Sequence, residues 1–365
     1  MQSATTSQAV TSSMCIGIDV GDKYSQVCVL DGAGEVVEES RFRTTRAGVE
    51  QCFARREHAR VILEVGAHSR WMQRQLAELG HEVVVANARQ LALIYRDRKK
   101  NDRMDAERLA RLGRADCALL HPIRHRGDPA HRILAIARAR DVLVRTRTTV
   151  ISAVRGQVKA SGARLPSCSS AAFSNRARAA IPAELEAALM PLIEAVEDLS
   201  ARIKSYDKQI ESISRDEAEI HNLTRVRGVG PLTALTFVAT LEDPTRYSNG
   251  RSVGAYLGLC PRQRQSGDSN PQLRISKEGN AFLRRLLVNA AHHILGPFGV
   301  DSDLRRWGLA IAARGGPRGK KRAAVAVARK LAVLLHRLWL TGEAYEPFHR
   351  STVVKASQSS CTVAI

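Results

Sequence analysis

The sequence predicts a mixed α/β sheet domain, followed by a helical arm and a mainly α-helical C-terminal domain. Three patterns predict it. Short apolar runs alternate with amphipathic stretches through the first 110 or so residues, as in a sheet with interleaved helices. From Leu185 to Ile213, apolar residues recur at alternating spacings of four and three, which is the seam of a long helix. Beyond Leu223, a compact region with Gly and Pro at its turns runs to about Gly299, and a last amphipathic helix covers about 320–340.

Taken in order, residues 1–13 read as a disordered polar leader. Met14–Gly21 and Tyr24–Gly32 read as two strands joined by the turn Gly21-Asp22-Lys23. Asp31-Gly32 makes a hairpin corner into a third strand in EVVEESRFRT. A helix follows over about 46–56, then a strand in Arg60–Val65, a helix over about 69–79 and a buried strand in His81–Ala88. A further helix carries KKNDRMDAERLA, Lys99–Ala110. The chain is then helical and strongly basic from about Arg132 to Ser161, so the first domain is drawn over 14–160. A Ser/Ala-rich stretch, 161–182, reads as a linker. The heptad residues are Leu185, Leu189, Leu192, Val196, Leu199, Ile203, Tyr206, Ile210 and Ile213. They predict a coiled-coil arm over 183–222 that joins copies of the chain, with one amphipathic helix packed in the chain's own core as the alternative. The C-terminal domain spans 223–345 and a polar tail 346–365.

Charge narrows the partners. The 365 residues include 56 Lys+Arg against 36 Asp+Glu, a formal net charge of +20. Such an excess points to a polyanion, either nucleic acid or an anionic membrane surface. No apolar run approaches the roughly 20 residues of a membrane span, and the polar start does not read as a secretory signal. Seven scattered cysteines form no C-x-x-C pair, so neither a zinc ribbon nor a disulfide framework is indicated. The expectation is a cytoplasmic, nucleoid-associated, nucleic-acid-binding protein with no membrane partner.

Against that basic background, four carboxylates stand out. Asp19 interrupts an apolar strand between Ile18 and Val20, and Glu64 does the same near the end of VILEVG. An acid inside an apolar strand must face something that compensates it. Asp102 and Asp105 sit three apart at a helix start and so share a face. Alone, that pair reads as a solvated helix start with intrahelical ion pairs. A two-metal phosphodiester site needs three or four carboxylates converging on one point, holding Mg²⁺ by hard oxygen ligands. Strand Asp, strand Glu and helical Asp is the order found in RNase H-like nucleases. Asp22, Asp31 and Asp97 read as turn or surface residues, and Lys99, Lys100 and Arg103 as phosphate contacts.

In the second half, Gly228 and Gly230 flank Val229 in RVRGVGPLTA, with Pro231 at a helix start. The segment resembles a helix-hairpin-helix contact with a phosphate backbone, in which glycine lets N–H groups approach without a Cβ in the way. An ordinary interhelix turn explains the same residues. Farther on, YLGLCPRQRQSGDSNPQLRISKEGNAFLRRLLVNAAHH (Tyr256–His293) carries Ser266, Ser269 and Ser276 among Arg262, Arg264, Lys277, Arg284 and Arg285. By residue type alone, each serine is a polar loop residue.

GIDVGDKY, LEVGAHSRW and KNDRMDAERLARL resemble the DEDD motifs of the insertion-sequence family one-ten transposases, and the C-terminal segment resembles that family's transposase signature. The likeness covers about residues 14–345. It implies a RuvC-like, RNase H-like N-terminal domain in which Asp19, Glu64, Asp102 and Asp105 bind Mg²⁺. It further implies that Ser266 is a nucleophile: an alkoxide that attacks a DNA phosphate, conserves the bond energy as a phosphoserine and returns it on rejoining. The five basic residues around it would neutralise the phosphate charge. Many members carry two consecutive serines where this chain has Gln265-Ser266. A bridge RNA pairing with donor and target DNA is implied, as is a homo-oligomer, a tetramer, with acids and serine at one composite site between subunits. Two other readings remain: a RuvC-like junction endonuclease in which Ser266 is inert, and a nonenzymatic nucleic-acid-binding scaffold.

Overall fold

β-branched and apolar runs make a sheet of the first hundred residues. The computed structural model describes residues 14–87, 102–267, 269–271 and 273–348; the leader, Lys99, Lys100 and most of the tail lie outside them. Five strands form one sheet: β1 Cys15–Asp19, β2 Tyr24–Leu30, β3 Val36–Arg43, β4 Arg60–Glu64 and β5 Glu82–Ala86, in the order β3-β2-β1-β4-β5. The first three are antiparallel, whereas β4 and β5 extend β1 in parallel. This mixed five-stranded sheet is the arrangement expected of an RNase H-like domain.

Period-two alternation gives the sheet two covered faces. Ile16, Ile18, Val27, Val61 and Leu63 pack on one side with Val49 and Phe53 of α1 (Arg46–Phe53) and with Met72 and Leu76 of α2 (Ser69–Glu78). Cys15, Cys28 and Ile62 pack on the other with Ala106, Leu109 and Ala110 of α3 (Asp102–Ala115). Burying both faces explains why these strands read as near-continuous apolar runs.

Packing divides the chain after His125. The sequence carries the first domain to 160, but α4, the basic helix Asp128–Ala160, packs instead with α6, Ala183–Asp216. These two long helices run antiparallel: Arg140 pairs with Asp207, Arg147 donates to Ser200 at 3.1 Å, and Val154 and Val158 meet Leu189, Ile193 and Val196. The short helix α5, Phe173–Arg178, closes the far end with Phe173 and Ala177. The main core of the second unit then gathers α7 (Ala218–Thr224), α8 (Pro231–Leu241), α9 (Gly250–Tyr256), α10 (Ala281–Leu295), α11 (Asp303–Arg314) and α12 (Gly319–Thr341).

The heptad seam therefore needs correcting in part. Leu189, Val196, Ile203 and Ile210, seven residues apart, are buried within their own chain, Leu189 and Val196 against the α4 side of the hairpin. The alternate row, Leu192, Leu199, Tyr206 and Ile213, is half-buried. Heptad spacing demands a partner helix but does not say whose. Ile203→Asp should place an unpaired charge at a buried position and cost about 4 kcal/mol or more, read as lost helicity on urea titration. Leu199→Asp should cost far less. A lower particle mass for Leu199→Asp with unchanged helicity would show that the half-buried row joins copies.

Candidate active site

Side-chain direction settles which face the carboxylates share. The Sγ of Cys15 donates to the Ala110 carbonyl of α3 at 3.2 Å, and a Cβ placed on Gly17 would lie 1.9 Å from the Ala106 carbonyl oxygen. Residues i, i+2 and i+4 of a strand point the same way, so Asp19 continues the Cys15-Gly17 row on the α3 face. Likewise a Cβ on Gly113 would meet Ile62 at 2.3 Å, which puts Glu64, two residues on, on that face too. Ile18 pairs with Leu63 in the parallel register, so the next residues, Asp19 and Glu64, sit at neighbouring strand ends. Helix α3 runs opposite to β1, since Gly17 meets Ala106 while Cys15 meets Ala110. Its first turn, with Asp102 and Asp105, therefore lies at the Asp19 end.

Four acids thus belong to one face and one end of the sheet. Asp19, Glu64 and Asp105 are half-buried and Asp102 is exposed. Asp105 receives Arg108 at 3.4 Å, and Asp19 and Glu64 each have partners of their own. Among the described residues, no three His, Cys, Asp or Glu side chains converge as a metal-holding group. The fold supplies adjacency rather than a closed cage. Arg103 is exposed on the same first turn.

Residues that sequence reasoning passed over hold the two strand ends. Beyond Asp19, the Thr44 hydroxyl donates to the Gly21 carbonyl at 3.0 Å, and buried Ser25 sits 2.8 Å from that hydroxyl. Beyond Glu64, the Ser69 hydroxyl bonds both the Gly66 amide and the Gly66 carbonyl, and lies 3.0 Å from Nε2 of His125. Buried hydroxyls in turns are the sequence signal, because a buried polar group needs a partner. Burial also pushes the Cys15 thiol up to about 11, so it remains a neutral donor to α3.

The serine loop has its own scaffold. Backbone pairs climb from Lys277 N to Gly258 O, Ser276 N to Cys260 O and Arg262 N to Arg274 O, ending where Ser266 and Ser269 exchange two 3.1 Å hydrogen bonds. Ser266 is thus exposed at the tip of an irregular β-hairpin, beside Gly267 at φ +54°. At the base, Gly258 and Gly279 have positive φ, and a Cβ on Gly279 would lie 1.9 Å from the Tyr256 carbonyl oxygen.

The basic residues divide. Arg262, Arg264 and Lys277 are exposed on the hairpin. Arg284, in contrast, donates to the carbonyls of Leu257 (2.9 Å) and Glu278 (2.6 Å), fastening the base, and Arg285 pairs with Asp141. Gly230 caps α8 with open space beside it, while Gly228, at φ +91°, lets the chain pass Ile294 and the Ala290 carbonyl of α10. Its bare Cα serves packing. No helix among the described residues is long and apolar enough to cross a membrane.

Comparison with known proteins identifies the family. The DEDD transposase model of the IS110 type matches residues 16–161, and the model described as Transposase IS116/IS110/IS902 family matches residues 220–298. A probable family 20 transposase of Pseudomonas aeruginosa is 31% identical over 91% of this chain and 98% of its own length. The transposase for insertion sequence element IS1111A of Coxiella burnetii is 26% identical over 90% of both chains, and that for IS1328 of Yersinia enterocolitica is 27% identical over 76% of this chain and 82% of its own. Transposase domains of the DEDD kind are generally dependent on a divalent metal. The chain belongs to the IS110 family of DEDD transposases and is a DNA transposase of an insertion sequence.

Proposed function

We propose that this transposase cuts and rejoins DNA by two chemistries, a carboxylate site in the first unit and a serine nucleophile in the second. The observation that supports it most is the shared face: Asp19 and Glu64 end neighbouring parallel strands on the side covered by α3, whose first turn carries Asp102 and Asp105. All four are hard oxygen donors, which suits Mg²⁺. When bound, the ion would favour attack at a phosphodiester and stabilise the leaving oxygen. The strands fix Asp19 and Glu64, the helix fixes Asp105, and Lys99, Lys100 and Arg103 hold the DNA backbone.

In the second unit, Oγ of Ser266 attacks a DNA phosphorus. An Oγ–P bond forms, the P–O bond to the departing strand breaks, and a hydroxyl on the incoming strand later reverses the step. The exposed tip supports this role, because a duplex approaches a projecting hydroxyl without clashing with the core. Arg262, Arg264 and Lys277 lie on the same hairpin as counter-charges, and Gly230 offers an open helix start to a second phosphate. By resemblance, a bridge RNA selects donor and target DNA, and the working form is a homotetramer at the nucleoid.

The test is denaturing electrophoresis of protein with labelled element-end DNA and the RNA transcribed beside the gene. A covalent band should appear with wild type and vanish with Ser266→Ala, while non-covalent DNA binding persists, because one hydroxyl adds little to a phosphate-dominated interface. A band lost only in Ser269→Ala or Ser276→Ala would move the nucleophile along the hairpin. Cutting without any covalent band would assign the reaction to the carboxylates alone.

A further inference from the structure

Phe298 is 82% exposed, whereas Phe173 and Phe237 of the second unit are fully buried and Phe282 is half-buried. Its backbone is not loose. Gly296, Pro297, Phe298 and Gly299 form a turn closed by Gly299 N donating to Gly296 O at 3.2 Å, with proline at the position that favours it. The guanidinium of Arg305 braces the turn from below, donating to the carbonyls of Ile294 and of Gly296, the latter at 2.7 Å. A Cβ on Gly299 would lie 2.0 Å from the Ile294 carbonyl oxygen, so the turn is packed down against the end of α10. A braced turn that presents a large apolar ring to solvent has no packing explanation.

An arginine lies next to the turn. Arg227 and His293 line one small cleft with Gly299 and Val300, the two residues that follow Phe298. Arg227 belongs to the hairpin Arg225–Gly230, which Gly228 seats on Ile294 and His293. Arg225 and Arg227 are exposed, and their guanidinium groups make no ion pair or hydrogen bond among the described residues. An exposed aromatic on the same surface as exposed arginines fits a strand whose bases stack while its phosphates are neutralised.

We propose that Phe298 is a stacking finger for an unpaired base of the DNA that this transposase opens, with Arg225 and Arg227 holding the adjoining phosphates. The proposal rests on the transposase reading only in taking that strand to be DNA. A protein partner would find the same ring, but the exposed arginines of the neighbouring hairpin favour a polyanion.

The experiment measures binding of the full-length protein to oligo-dT and to duplex DNA as salt is varied. Phe298→Ala and Phe298→Leu should each weaken oligo-dT binding about tenfold, the size of one lost base stack, with the salt slope unchanged. Phe298→Trp should keep the affinity, and its fluorescence should be quenched by oligo-dT beyond the quench of the native tryptophans. Arg225→Ala with Arg227→Ala should instead flatten the salt slope by about two phosphate contacts. Wild-type affinity in both Phe298→Ala and Phe298→Leu would overturn the proposal. So would a lowered particle mass for Phe298→Ala with unaltered DNA binding, which would make the ring a contact between copies. Neither outcome touches the Ser266 adduct, so the stacking finger and the two-chemistry reading fail separately.

Discussion

Asp19→Ala should abolish strand cutting while the protein stays folded and still binds DNA. Loss of one carboxylate from a metal-dependent phosphodiester site removes several kcal/mol of transition-state stabilisation, about a thousand-fold or more in rate. The fold should survive because Asp19 is the half-buried last residue of β1, and the β1 residues that fill the core are Cys15, Ile16 and Ile18. Glu64→Ala and Asp105→Ala should match it. A second readout separates a metal site from a merely structural acid. Mg²⁺ should raise the thermal midpoint of wild type by mass action, and raise that of the three variants much less. Equal shifts in all four proteins would refute the carboxylate site.

Gly17→Ala should be nearly as damaging to cutting, without touching a reacting group. The added methyl would sit 1.9 Å from the Ala106 carbonyl oxygen and 2.7 Å from the Ala110 amide nitrogen, and neither is the far end of a flexible side chain. Helix α3 must therefore move off the sheet, carrying Asp102 and Asp105 with it. Overpacking of this kind costs about 1–3 kcal/mol. Hydrogen exchange should speed up in Asp102–Ala115 before it does in β2 and β3. Wild-type exchange in that helix, together with wild-type cutting, would show that β1 and α3 tolerate separation.

Much of the first unit was legible in the sequence because its strands are buried on both faces. Apolar runs bounded by turns mark β1, β2, β4 and β5, and an acid within such a run is conspicuous; this is why Asp19 and Glu64 stood out. The pairing of α4 with α6 was not legible. A heptad repeat reports an apolar stripe, and α4 is so rich in Arg and Thr that its buried residues, such as Leu134, Val154 and Val158, leave only a weak period. Arg284 and Arg285 show a second limit. Adjacent arginines look alike in sequence, yet one is consumed by carbonyls and the other by Asp141, which depends on neighbours far along the chain. Phe298 was missed because solvent exposure of a single aromatic has no periodic signature.

The seam between β1 and α3 is made of Gly17, Ala106 and Ala110, with main chain lying directly on main chain at Gly17. Such a contact has almost no rotamers to sample. The spacing between the strand bearing Asp19 and the helix bearing Asp105 is consequently set by main-chain contact at Gly17 rather than by side-chain rotamers. Evolution is left with a narrow path at Gly17, because any larger residue there pushes α3 off β1, whereas the outer surface of α3 is free to drift. Divergent insertion sequences should therefore keep this small-residue seam even where little else of the helix is shared.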